Sequence, residues 1–313
     1  MSHRILITGA SGYLGGTLLA HWKEAQLPSS YDKLFALVRT PSQANAVKQY
    51  GAQPVTIDAE DPLSTKTLIT THQITIVFHL HNAIDTETAA HSIAGLGQVK
   101  RLTGLQTHFL FTTGAKLFSE FAGMPIDRVL LDTDAELYEL QKRAIGHTPV
   151  EFASRGLQAN CSVIEAAEKH GVRSYIFAPC IVYGSGEGFG NKISIQTVAV
   201  VKAARQVGGV YRVDQGRPTW PVCHVLDNTR LYIELLRGML EGRDMGCGKE
   251  GYYLAATGSV SWDDLYEAFG RALKMEGVVD DATVKDADDA ILEKMAEGLD
   301  SRMGPVRFQV GGW

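Results

Sequence analysis

The chain has 313 residues, a net charge of -5 and a pI near 6.1, with lysine and arginine scattered rather than clustered. Neither a nucleic-acid footprint nor attachment to an anionic membrane is therefore expected. Cys161, Cys180, Cys223 and Cys247 show no C-x-x-C spacing, which argues against a disulfide framework or a metal site and for a reducing compartment.

Strands and helices alternate along the chain. Apolar runs predict strands over Arg4–Thr8, Lys33–Val38, Pro54–Ile57, Ile74–Leu80, His108–Thr112 and Ser174–Ala178. Helices are expected at Gly15–Glu24, Pro41–Tyr50, Ala89–Thr103 and Gly156–His170, the last stopped by Gly171. Alternating β and α segments imply an α/β Rossmann fold: a doubly wound parallel sheet with helices on both faces. After Gly184 the pattern changes to a glycine-rich stretch, Ser185 to Gly190, a helix over Ile193–Val207, a break at Gly208-Gly209 and a strand at Val210–Val213. A strand over Trp220–Leu226 and a helix over Asp227–Glu241 are expected to return to the main body, followed by helices at Trp262–Glu276 and Ala287–Gly298. The reading is thus a dinucleotide-binding domain over 1–184 and a smaller C-terminal substrate lobe over 185–313, of which 217–241 rejoins the first body. No run approaches the ~18 apolar residues of a membrane helix. The first strand starts too early to leave room for a signal peptide, so a cytoplasmic protein is expected.

The segment Gly9-Ala10-Ser11-Gly12-Tyr13-Leu14-Gly15 lies between the first strand and the first helix. In that position Gly9 makes the tight turn, Gly12 admits phosphate oxygens close to the backbone, and Gly15 lets the helix pack on the strand. The amides of Ser11, Tyr13 and Leu14 then meet a pyrophosphate at the helix N-terminus. Arg39 stands at the end of the second strand, where an acidic residue would contact the adenosine ribose; a guanidinium there pairs with a 2′-phosphate and favours NADP.

These motifs resemble the extended or atypical short-chain dehydrogenase/reductase superfamily, and the stretch from Phe189 to Thr197 with the Tyr138 region is similar to fungal epimerase/dehydratase-like or NmrA-like proteins. The resemblance implies that Asp58 meets the adenine amino group and that Leu80 and His81 line the cofactor. It also places Thr112 beside the cofactor and Pro179 and Ile181 on the nicotinamide side. It further implies a catalytic tyrosine, a lysine four residues on that lowers the phenol's pKa, and a Ser or Thr that holds the substrate oxygen. Thr112 and Thr113, at the end of the fifth strand, supply the hydroxyl, with Thr113 the catalytic one. Two registers compete for the pair. Tyr138 and Lys142 form Y-x-x-x-K downstream of Thr113, whereas counting back from Gly171 puts Phe152 and Gly156 in those places and leaves no proton donor. Arg155, His224, Trp220 and Tyr183 are further pocket candidates.

The first functional expectation is an NADP(H)-dependent oxidoreductase acting on a small carbonyl or alcohol in fungal secondary metabolism, using Thr113, Tyr138 and Lys142 and needing no metal. The second is a non-redox isomerase, cyclase or dehydratase on the same scaffold. The third is an NmrA-like dinucleotide-sensing regulator. The substrate is a small molecule, and a homodimer is compatible with the superfamily.

Overall fold

The structure, a computed structural model, describes residues 2–58 and 60–311. The first half contains β1 (His3–Ile7), α1 (Tyr13–Ala20), β2 (Tyr31–Leu37), α2 (Pro41–Lys48), β3 (Gln53–Val55), α3 (Ser64–Thr71), β4 (Ile76–His79), α4 (Thr86–Thr103) and β5 (His108–Thr112). Next come α5 (Leu137–Ala144), α6 (Glu151–His170), β6 (Arg173–Pro179), β7 (Ile181–Tyr183), α7 (Ile195–Val207), β8 (Tyr211–Arg212), β9 (Thr219–His224) and α8 (Val225–Glu241). The chain continues through β10 (Tyr252–Ala255), β11 (Gly258–Ser261), α9 (Trp262–Met275), β12 (Lys285–Asp286), α10 (Asp289–Glu297) and α11 (Val306–Val310).

Seven strands pair in parallel in the order β10-β6-β5-β4-β1-β2-β3, so the chain reverses direction across the sheet between β1 and β4. Strand side chains alternate between faces. Ile5, Ile7, Phe78, Leu110 and Phe177 pack with Leu18, Tyr232 and Leu236 under α1 and α8. Leu6, Val77, Phe109, Phe111 and Ile176 pack with Leu68, Ile93 and Ile164 under α3, α4 and α6. Both faces are covered, as a parallel sheet requires.

The strand expected at Trp220–Leu226 does not join the main sheet. It forms β9, between β7 and β11 in a separate three-stranded sheet. The main sheet instead gains β10 at its edge, beside β6. That four-residue strand follows the helix break at Gly242 and is too short to stand out by periodicity. Helix α6 begins at Glu151, ahead of the expected start at Gly156, because the bend at Thr148-Pro149 leads into an extended Val150 and the helix propagates directly behind it. The C-terminal elements bury Val200, Trp220, Trp262 and Tyr266 between α7, α9, α10 and the β8–β12 pair. Among the described residues, no helix is long and apolar enough to cross a membrane.

Candidate active site

The carboxyl ends of β1, β4, β5 and β6 open onto a cavity of about 690 Å³, within the usual range for a ligand cleft, at the point where the strand order reverses. One end is the glycine turn. Gly9 has φ of 68°, and a Cβ there would lie 2.8 Å from the Leu80 carbonyl oxygen; a Cβ on Gly15 would lie 2.4 Å from that of Gly9. The turn is closed to side chains because backbone occupies the space. Gly12 caps α1 without a side-chain hydrogen bond, so the first-turn amides of Tyr13, Leu14 and Gly15 lack an intrahelical acceptor. This arrangement fits a dinucleotide pyrophosphate, which accepts from such amides and is favoured by the helix dipole.

Gly9, Gly12, Tyr13, Leu14 and Gly15 line the cavity, as do Leu80, Pro179 and Ile181. Ser11, Arg39, Asp58, His81 and Thr112 do not. The Ser11 hydroxyl and the Arg39 backbone are instead joined through Gln43, whose amide donates to Ser11 Oγ at 3.2 Å and whose carbonyl accepts from Arg39 N at 2.8 Å. The Arg39 side chain is exposed at the β2 end of the turn. Asp58 is exposed and accepts from the Glu60 amide at 2.9 Å, organising the approach to α3. His81 Nδ1 lies 2.9 Å from Thr8 Oγ1, and burial lowers the ring's pKa despite the upward pull of Asp85. The Thr112 hydroxyl is 2.8 Å from the Tyr232 hydroxyl, inside the α8 face of the core rather than on the cofactor side.

The structure does not bring Tyr138 and Lys142 to this cavity. The Tyr138 hydroxyl donates to Glu165 Oε1 at 2.7 Å, Lys142 pairs with the same carboxylate, and Lys249 Nζ sits 4.5 Å from the centre of the Tyr138 ring. Burial and Glu165 push the Tyr138 phenol far above its ordinary range, opposite to what a proton donor near neutrality needs. The pair therefore fastens α5 to α6. At the cavity wall stand Phe152 and Gly156. A Cβ on Gly156 would lie 2.7 Å from Leu117 Cδ1, so Leu117 occupies the room a side chain there would need.

Thr113 does line the cavity. Its amide donates to Phe177 O at 2.8 Å, and its buried hydroxyl has no hydrogen-bond partner within the described residues. Such an orphan is costly unless something binds it. The following turn, Ala115–Phe118, carries Lys116, which sequence reasoning missed. Its Nζ lies 4.6 Å from the centre of the Phe308 ring. Burial pulls the ammonium down to about 7, against an upward pull from Asp214. Buried Gln141 on α5 holds this turn by donating to Leu117 O at 3.3 Å, while its own carbonyl accepts from Asn160 at 3.1 Å and Tyr252 at 3.2 Å.

The remaining candidates divide. Trp220 lines the cavity; Arg155 is exposed and Tyr183 is half exposed, and neither lines it. His224 caps α8, its Nδ1 accepting from Leu226 N at 3.3 Å. A glycine-rich loop crosses the outside of the turn: Asn191 N donates to Ser11 O at 2.9 Å, Gly188 packs on Gly16, and Gly190 packs on Ser11.

Fold and glycine turn place the chain in the dinucleotide-binding class of doubly wound proteins. Residues 5–248 match the NAD dependent epimerase/dehydratase family, and the chain belongs to that family. A Stigmatella aurantiaca protein named as the ketoreductase of 4-hydroxy-2-methyl-3-oxo-4-farnesyl-3,4-dihydroquinoline-1-oxide is 26% identical over 265 residues, 80% of this chain and 67% of that one. The dTDP-glucose 4,6-dehydratase of Streptomyces venezuelae, with NAD bound, superposes with a TM-score of 0.58 at 17% identity, over 92% of this chain and 85% of its own. The Citrobacter triphenylmethane reductase complexed with NADP(H) gives 0.57 at 14% identity, over 99% and 87%. At these identities the two structures share the fold.

Proposed function

We propose that the protein is an NADP(H)-dependent oxidoreductase that interconverts an apolar carbonyl compound and its alcohol. The observation that carries this reading is the continuity of the cavity, which runs from the glycine turn to the orphaned Thr113 hydroxyl. Bound at the turn, the dinucleotide would supply or accept hydride. Gly9 to Gly15 would hold its pyrophosphate, Pro179 and Ile181 would flank the nicotinamide, and Thr113 would hold the substrate oxygen by a hydrogen bond. Leu117, Phe152, Trp220, Met303 and Phe308 make the far wall apolar, and they exclude water from the place where charge would develop. The ketoreductase relative supports carbonyl reduction as the chemistry. Arg39, exposed where the adenosine ribose of a bound dinucleotide would lie, supports NADP, as does the NADP(H)-bound reductase among the similar folds.

Fluorescence titration with NADPH and NADH tests the cofactor. NADPH is expected to bind at least about tenfold tighter, and Arg39→Asp to abolish the difference, since a charge-assisted pair contributes roughly 1.5–3 kcal/mol. Equal affinity in the unmodified protein overturns the assignment to NADP. A non-redox isomerase or dehydratase is the second reading, favoured by Phe152 and Gly156, which bring no phenol or ammonium from α6. Turnover of a substrate with no net consumption of NADPH would favour it.

A further inference from the structure

We propose that Lys116 is the catalytic acid of this cavity, donating a proton from Nζ to the oxygen of an apolar ketone that the Thr113 hydroxyl positions. The inference rests on the oxidoreductase reading above.

Thr113 and Lys116 stand at the two ends of one short stretch after β5, and both line the cavity. Across from them α6 presents Phe152 and Gly156, which carry no proton to give. Among the described residues, no histidine lines the cavity, and the other ionisable side chains that do are either committed to partners or exposed. The Tyr13 hydroxyl donates to Gly184 O at 2.7 Å, and burial pushes its phenol up to about 12. The Cys180 thiol donates to Ala255 O at 3.0 Å and is likewise pushed up to about 12. Asp300 is paired with Arg302 and held as the carboxylate, an acceptor only. Lys202 is exposed at the rim. Lys116 remains, half-buried against Phe308 and held in place through the Gln141 contact to Leu117.

The chemistry closes with these groups. A bound dinucleotide would supply the hydride to the carbonyl carbon and be left oxidised. The C=O electron pair would move onto oxygen and take the proton from Lys116 Nζ, giving an alcohol and a neutral amine that regains its proton from water. In the reverse direction the neutral amine accepts the alcohol proton. Because burial brings the ammonium close to neutrality, both forms are populated under ordinary conditions.

Two measurements on the full chain test this. Trace acetylation by a succinimidyl acetate ester at neutral pH, read peptide by peptide, should label Lys116 at least about tenfold faster than Lys202, and NADPH with acetophenone should slow it. This readout needs no turnover. Lys116→Met should keep NADPH binding within about twofold while lowering acetophenone reduction at least about a hundredfold, the scale of general acid catalysis. Lys116→Arg should not restore the rate, and Lys116→Ala should regain turnover when ethylamine is added, which a structural role does not predict. Lys116→Met with undiminished turnover, or acetylation of Lys116 at the rate of Lys202, overturns the proposal and leaves the oxidoreductase reading standing. An unmodified protein that binds neither NADPH nor NADH sinks that reading itself, and the acid role with it.

Discussion

Half-buried beside the Phe308 ring, the Lys116 ammonium is partly stripped of water, and burial brings its pKa from the ordinary lysine range to about 7. The charged group that acts on it is Asp214, from the connection between β8 and β9, while Asp300 and Lys202 are the other charged residues of the cavity lining. The proton is present below about 7 and lost above it, so the rate of ketone reduction should fall as pH rises through that value and the rate of alcohol oxidation should rise. A pH–rate profile without that inflection would contradict the assignment. The unfolded chain holds this proton up to the ordinary lysine range, so the same group makes the fold less stable below that range, and stability should climb with pH above about 7. Tyr138 should behave differently. Its hydroxyl ends on Glu165, away from the cavity, so Tyr138→Phe should leave turnover within about twofold and cost roughly 0.5–1.5 kcal/mol in a denaturant melt. The glycines of the first turn were legible because only backbone without Cβ satisfies a turn so close to Leu80. The Y-x-x-x-K spacing was misleading for a physical reason. It puts two side chains on one helix face, but which face meets the cavity depends on packing, and here buried Gln141 faces inward while Tyr138 and Lys142 grip α6.

The loop between β7 and α7 is the element that packs on the outside of the glycine turn. Sequence periodicity marks it as a glycine-rich start to the lobe, which accounts for its composition but not for its contacts. Its partners, Ser11, Tyr13 and Gly16, lie far upstream in the chain, and no local pattern announces such a pairing. A Cβ on Gly190 would lie 2.2 Å from the Ser11 carbonyl oxygen, and a Cβ on Gly188 would lie 2.5 Å from Gly16 Cα. Both obstacles are backbone, so the loop itself must lift. Gly190→Ala should therefore weaken NADPH binding at least about tenfold by displacing the turn, read by fluorescence titration, while leaving the far-ultraviolet circular dichroism unchanged. Undiminished affinity in that variant would show that the loop contact has no bearing on the turn. His21 supports the same closure, with Nε2 2.8 Å from Glu187.

At the scale of the whole molecule, the parallel sheet was the most legible feature, because strands buried on both faces leave long apolar runs at regular intervals. The three-stranded sheet β7–β9–β11 was not, since its strands are short and drawn from distant parts of the chain. The C-terminal elements meet the segments that follow β5 beside the cavity: Phe308 of α11 contacts both Phe121 and Phe152 edge-on, at 5.1 Å and 5.8 Å between ring centres. A ligand held between them should stabilise both together. NADPH at a hundred times its Kd should add about 2.7 kcal/mol and raise the Tm of one cooperative transition. Two separate transitions, with only one shifted, would contradict a shared cavity.

The Asn191 amide on Ser11 has a kinetic implication. The same short segment that touches the glycine turn runs on through Ile193 and Ile195 at the cavity lining, so the outer side of the turn and the cavity share one piece of backbone. If the protein works as proposed, ordered entry is the expected outcome, with the dinucleotide first on and last off. The oxidised dinucleotide should then compete with NADPH alone, and the alcohol with neither substrate.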